Sequence, residues 1–277
     1  MKRILLPTDF SSIAEYALRY AAELAKKFNA EIVALYMIDR ADAFLTRKEA
    51  MDLFENIDYH ERINKSFKEF LDKEYLKGVQ VHTVIKREVN FLKITDLVEE
   101  LNIDLIVIGS QGAHGIEGMF IGSNTEKVIR SSDVPVLVIK NLIPNFKLEK
   151  VILACDLELD MTRTFKKALN FIKQLSVDYK IVYVNSPEDF INTKLMQEAV
   201  QKFFKAAGLE HSAYRDKIVF YDDFNVESGI FKFADQEEAD LIVLPTHGRK
   251  GLAHFVYNSY SEKLANHSDM PVLTVKA

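Results

Sequence analysis

The sequence predicts an α/β protein of two tandem domains, each a five-stranded parallel sheet with helices on both faces. Three observations predict it. The first is an internal repeat: residues 104–140 and 240–276 align without a gap (240 − 104 = 136), with 15 of 37 positions identical. Self-similarity on that scale means two copies of one folding unit. The second is the alternation of short apolar runs with helical stripes, the pattern of parallel strands joined by helical crossovers. The third is length, because 277 residues suit two domains of ~150 residues, each able to bury its own core. Where the two halves agree, the residues serve architecture. Where they differ, they point to function.

The first half opens on Arg3-Ile4-Leu5-Leu6-Pro7-Thr8-Asp9 and the second on Lys150-Val151-Ile152-Leu153-Ala154-Cys155-Asp156, an offset of 156 − 9 = 147. Each is an apolar run ending in a carboxylate, as in a buried parallel strand that emerges at its C-terminal end. Ser12-Ile13-Ala14-Glu15 reads as a capping box ahead of the stripe Ala17, Leu18, Ala21, Leu24 and Ala25. Phe165, Leu169, Ile172 and Leu175 are the stripe of the second half. Second strands are expected at 31–38 and 180–184, long polar helices at 52–76 and 195–207, and third strands at 79–85 and 218–221. Third helices are expected at 91–101 and 230–238. Fourth strands at 105–108 and 241–244 run into glycine-bearing loops. Short helices begin at Ser123 and Ser259, and strands at 134–139 and 270–275 close the halves. The expected domains are residues 1–140 and 150–277, with a linker at 141–149 that contains Pro144.

The chain is 48% apolar and 28% charged, with a net charge of −5. That balance argues against nucleic acid or an acidic membrane surface as a partner. Cys155 is the single cysteine, so no disulfide forms within the chain, which fits a reducing compartment. The run Ile4-Leu5-Leu6 stops at Pro7, too short for a signal-peptide core. No stretch approaches the ~20 apolar residues of a membrane span. The expectation is a cytoplasmic protein.

Ligands of an open parallel sheet bind beyond the C-terminal ends of its strands. There the first half carries Gly109-Ser110-Gln111-Gly112, nine further residues, and Gly122-Ser123. Glycines let backbone N–H groups approach phosphate oxygens with no Cβ in the way. Ser123-Asn124-Thr125-Glu126 is a capping box, so a helix N-terminus opens there, with free N–H donors and partial positive charge. The parts of a phosphate cradle are present. The same residues also read as a turn followed by an N-cap, and spacing alone does not separate the two readings.

Gly-x2-Gly-x9-Gly-Ser after the fourth strand resembles the ATP-binding signature of the universal stress protein (UspA-type) family. Leu5-Leu6-Pro7-Thr8-Asp9 and Val134-Pro135-Val136-Leu137-Val138 extend the resemblance, and flanking features in both halves make it cover the chain as a tandem pair. It implies Rossmann-like domains of the adenine nucleotide α-hydrolase type and a nucleotide-responsive stress or regulatory role. It also implies ATP, with Mg²⁺, as ligand: the triphosphate held by Gly109, Gly112, Gly122 and Ser123, the adenosine near Thr8, Asp9 and Met37. Family loops usually carry Lys or Arg between the second and third glycines. Here the segment 113–121 offers only His114, beside Glu117, which leaves phosphate charge to backbone N–H groups, the helix end and a divalent cation. The resemblance allows slow ATP hydrolysis or autophosphorylation, with no catalytic residue assigned. The alternatives are an interaction module with a vestigial loop and an ATP-using transferase.

The second half departs from this pattern. Gly109 aligns with Pro245, Gly112 with Gly248, Gly122 with Asn258 and Ser123 with Ser259. Proline removes an N–H and fixes φ, and an asparagine side chain intrudes where phosphate would sit. Arg249, Lys250 and His254 remain and read as a solvated charged face. One nucleotide per chain is therefore expected, in the first half, with the second half a degenerate structural partner. Asp156 reads as a tether of the strand-to-helix turn and Cys155 as a small buried residue. The seven histidines form no HExxH or Cys/His cluster, so no metal site is expected. Both last strands are strongly apolar, and an unpaired apolar edge is an aggregation hazard. Antiparallel pairing of Val136–Val138 with Val272–Thr274 about an approximate two-fold axis is expected to cover both edges. The resemblance points to the same intramolecular pseudo-dimer, and to a possible homodimer, since single-domain members often dimerise through this strand.

Overall fold

The computed structural model describes residues 1–38, 57–87, 94–110, 123–143, 146–246 and 270–276. It separates into two units, the first comprising Met1–Ser110 with Ser123–Ile139 and the second running from Lys140 onward. The first contains β1 (Arg3–Pro7), α1 (Ser12–Phe28), β2 (Glu31–Ile38), α2 (Ile57–Leu71), β3 (Val81–Arg87), α3 (Ile94–Glu100), β4 (Leu105–Gly109), α4 (Ser123–Ser131) and β5 (Val136–Ile139). Its strands pair in parallel in the order β3-β2-β1-β4-β5. The second contains β6 (Lys150–Ala154), α5 (Thr162–Leu175), β7 (Asp178–Asn185), α6 (Thr193–Ala206), β8 (Ile218–Asp222), α7 (Val226–Gln236), β9 (Leu241–Thr246) and β10 (Val272–Lys276). Its order is β8-β7-β6-β9-β10, again parallel. The five-stranded parallel sheet read from the sequence is thus present twice.

In each unit the strand order reverses beside the first strand, between β1 and β4 and between β6 and β9. A doubly wound sheet opens its crevice at such a switch point. The central strands are apolar because helices cover them on both faces. Ile4, Leu5, Leu6, Ile106 and Val107 are fully buried in the first unit, and Val151, Ile152, Leu153, Ile242 and Val243 in the second. Helix α1 buries the stripe Ala17, Leu18, Ala21, Leu24 and Ala25, and α5 buries Phe165, Leu169, Ile172 and Leu175.

The repeat extends to backbone conformation. Among the described residues, the non-glycine positions with positive φ are Phe10, Asn29, Asn102, Leu157, Ser176 and Glu238. They form three aligned pairs: 157 − 10 = 147, 176 − 29 = 147 and 238 − 102 = 136. A left-handed residue that is not glycine costs roughly 1–2 kcal/mol, so each pair marks a turn that the fold itself imposes. Asp104 and Asp240 are another such pair. Asp104 Oδ2 accepts the amides of Lys2 and Arg3, and Asp240 Oδ2 those of Glu149 and Lys150. Each carboxylate thereby ties the start of the fourth strand to the start of the first.

Several boundaries differ from the sequence reading. The N-cap of α1 is Ser11, not Ser12: Ser11 Oγ accepts the Ala14 amide at 3.2 Å. The polar helix α2 ends at Leu71, and a separate 3-10 turn follows at Glu74–Leu76. Strand β3 begins two residues late because Gly78, at φ 80, and the bond from the Val79 amide to Leu76 O keep 79–80 in the turn. It runs on through Lys86 and Arg87, which pair with Met37 and Ile38. Helix α7 starts four residues early, capped by Asn225, whose Oδ1 accepts the Ser228 amide at 3.1 Å.

Candidate functional site

The chain leaves β1 through Thr8 and Asp9. The Thr8 amide donates to Leu35 O at 2.9 Å, which holds Thr8 beside β2. Thr8 Oγ1 accepts the Phe10 amide at 3.0 Å, and Asp9 Oδ1 accepts the Ser11 amide at 3.0 Å. These two bonds close a sharp turn, set Phe10 at φ 63, and deliver Ser11 to its capping position on α1. Thr8 is buried, the Asp9 side chain is exposed, and Met37 is half-buried near the end of β2.

Gly109 is the last residue of β4. A Cβ there would stand 2.5 Å from Ile13 Cγ2 and 2.7 Å from Ile13 O. Glycine is therefore required for β4 to pass the first turn of α1, a packing reason independent of any phosphate. The first turn of α4 returns to the same point, where the buried Thr125 hydroxyl donates to the Gly109 carbonyl at 3.3 Å. Since β1, β2 and β4 are parallel, Thr8, Asp9, Met37 and Gly109 lie at one edge of this sheet, with the start of α4 at Ser123 beside Gly109. Gly112 and Gly122 lie outside the described residues, as do Arg249, Lys250 and His254.

The second unit carries a cavity of about 590 Å³ at the corresponding place. Cys155, Asp156 and Leu157 line it from the exit of β6, Tyr183 and Val184 from β7, Leu244 and Pro245 from β9, and Phe203 from α6. By the offset of 147, Cys155, Asp156 and Val184 are the counterparts of Thr8, Asp9 and Met37. Asp156 Oδ1 accepts the Glu158 amide at 3.0 Å, which makes it the turn tether read from the sequence. Burial pushes the Cys155 thiol well above the ordinary range, so it is protonated at neutral pH and behaves as a small packing residue. Tyr183 is also pushed up, first by burial and then by the charges of Asp189 and Glu158.

The sequence reading of the second half missed this cavity. One of its lining residues, Leu157, aligns with Phe10 of the first half. In the first unit the Phe10 ring packs 5.1 Å from Tyr36, 5.0 Å from Phe67 and 5.6 Å from Phe70, centroid to centroid. In the second unit Leu157 takes that place, and it lines the cavity together with Phe203 and with Tyr183, the counterpart of Tyr36. Among the described residues, no helix is long and apolar enough to cross a membrane, and no group of His, Cys, Asp or Glu is placed to hold a metal ion.

Comparison with known proteins follows the same outline. The sequence profile of the universal stress protein family matches residues 1–140 and 147–276. A universal stress protein of Methanocaldococcus jannaschii is 32% identical over 140 residues, covering 50% of this chain and 82% of its own. Another, from Synechocystis sp., is 26% identical over the whole of both chains. Among solved structures, a universal stress protein from Archaeoglobus fulgidus matches with a TM-score of 0.70 at 21% identity, over 99% of this chain and 96% of its own. That last likeness is one of fold.

Proposed function

The chain belongs to the universal stress protein family, and we propose that it is a nucleotide-responsive stress or regulatory protein holding one ATP, with Mg²⁺, in its first unit. Thr8, Asp9 and Met37 receive the adenosine. Gly109, Gly112, Gly122 and Ser123 receive the triphosphate, whose charge is met by backbone N–H groups, the N-terminus of α4 and the cation. The observation that carries this reading is the contrast between two loops at equivalent strand exits: Gly109, Gly112, Gly122 and Ser123 in one, Pro245, Gly248, Asn258 and Ser259 in the other. The switch point between β1 and β4 supports it, as does the bond from Thr125 that seats α4 against Gly109. Gly109 has a packing role of its own, so the phosphate reading leans on Gly112 and Gly122. One free, buried cysteine fits the reducing cytoplasm as its setting.

Calorimetry of the full chain with ATP and Mg²⁺ tests the reading. The expected stoichiometry is near one per chain. Two equivalent sites, or one site mapped to the second unit, overturn it.

A further inference from the structure

The nucleotide reading leaves the cavity of the second unit without a role, and we propose that it is a separate binding site for a small organic cation: an amine carried on an aromatic or aliphatic body. Its volume, about 590 Å³, lies within the ~300–1,000 Å³ of small-molecule sites. Its floor is apolar, built from Leu157, Phe165, Phe203 and Ile230, while Asp156, Glu158, Glu188 and Asp189 stand among the lining residues. No Lys, Arg or His is among the described residues that line it. Glu158, Glu188 and Asp189 are exposed and make no ion pair among the described residues. The described lining therefore presents negative charge around an apolar floor, the complement of an amphipathic cation. No three of these carboxylates converge closely enough to hold a metal ion, so their charge is spread over an opening of organic-molecule size.

Two further features favour an amine with an apolar body. Phe190 and Val226 line the cavity yet are 66% and 38% exposed, an apolar lip that a ligand would cover. An ammonium beside Tyr183 and Phe190 would also gain cation–π attraction. The acidic segment is held in place before any ligand arrives. Buried Asn185 donates to Asp222 Oδ1 at 3.0 Å and accepts the Ile191 amide at 3.1 Å, and the Asp189 amide donates to Ser186 O at 3.2 Å. The same carboxylates repel a triphosphate, which is consistent with a single nucleotide per chain but does not depend on it.

Calorimetry of the full chain with tryptamine, tryptophol and indole-3-propionate tests the proposal, because these probes share an indole and differ in charge. Two screened carboxylate contacts predict about fivefold tighter binding of tryptamine than of tryptophol at low salt, with indole-3-propionate weakest. Combining Glu158→Gln with Asp189→Asn should bring tryptamine down to tryptophol and leave tryptophol unchanged. Leu157→Phe should weaken binding of all three by crowding the apolar floor, and Phe10 shows that phenylalanine is accommodated at this backbone conformation. It should leave ATP binding intact, so the two readings fail separately. Equal affinity for the three probes, tighter binding of the anion, no binding of tryptamine at millimolar concentration, or undiminished tryptamine binding in folded Leu157→Phe each overturns the proposal. If Leu157→Phe does not fold, the carboxylate double variant decides.

Discussion

Gly109→Ala separates packing from ligand chemistry at the strand exit. The added methyl carbon would lie 2.5 Å from Ile13 Cγ2, 2.7 Å from Ile13 O and 2.9 Å from the Ile13 carbonyl carbon. Carbon atoms prefer ~3.5–4.0 Å, so the side-chain overlap is about 1 Å or more. Ile13 can rotate its side chain away. Its carbonyl moves only with the first turn of α1, which is fixed by the Ser11 cap and by the buried face of the helix. Overpacking costs ~1–3 kcal/mol, and backbone involvement places Gly109→Ala in the upper half of that range, about 2–3 kcal/mol. At ~2–4 °C per kcal/mol for a domain near this size, the first unit should melt about 5–10 °C earlier. Thermal and urea unfolding of the full chain, without nucleotide, measures this. Adding Ile13→Ala removes only the Cγ2 contact, so rescue should be partial, with a coupling of about 1 kcal/mol. A Gly109→Ala variant within about 0.5 kcal/mol of the parent would refute the close approach of β4 to α1. Complete rescue by Ile13→Ala would show that the carbonyl contact is immaterial.

Gly122→Val should abolish ATP binding in a folded protein, because a branched side chain occupies phosphate space; unchanged affinity by calorimetry would remove the loop from the site. Asp240→Ala strands two amides and should cost about 1–3 kcal/mol in urea unfolding. It should cost more than Asp104→Ala, whose two bonds are both exposed, and the reverse order would contradict the tether account. Cys155 titrates high because it is buried, so its contribution is complete below the unfolded thiol pKa of ~8.5 and is lost as pH rises above it, by about 1.4 kcal/mol per pH unit. Urea unfolding from pH 7 to 10 should show the stability gap between parent and Cys155→Ala closing as pH rises, and a constant gap refutes this. The edge pairing expected from sequence is checked with Val138→Cys and Val272→Cys in one chain, where absence of an intrachain crosslink under oxidation counts against it.

The strands and the ends of their crevices were legible because buried parallel strands must be apolar and must finish in a polar turn. Arg3–Pro7, Lys150–Ala154 and Leu105–Gly109 carry that constraint on their surface. Helix starts were less legible. Ser11 and Ser12 are chemically alike, and only the Asp9 bond to the Ser11 amide decides which of them caps α1. The early start of α7, which takes in Gly229, was not legible. In the structure, a Cβ at that position would stand 2.6 Å from Val184 Cγ1, so the glycine allows α7 to lie against β7. The left-handed positions at Phe10 and Leu157 were not legible either. Neither residue type favours positive φ, and the turn imposes it through Thr8 and Asp9 in one unit and through Asp156 in the other.

That imposed conformation places different side chains at one position of the repeat. The residue after the aspartate is turned toward the space between the second strand and the following helix, whatever its identity. A phenylalanine there packs on Tyr36, Phe67 and Phe70. A leucine there lines a cavity together with Tyr183 and Phe203. The chemistry diverges in the same direction. On the nucleotide reading, the glycines of the first half offer N–H donors to an anion. The second replaces Gly109 with Pro245, which has no N–H, and brings Glu158, Glu188 and Asp189 around its opening. On the readings proposed above, added salt weakens the nucleotide and the amine alike, since both are held by charge. Substitutions separate them: Gly122→Val acts on the nucleotide alone, and Leu157→Phe on the amine alone.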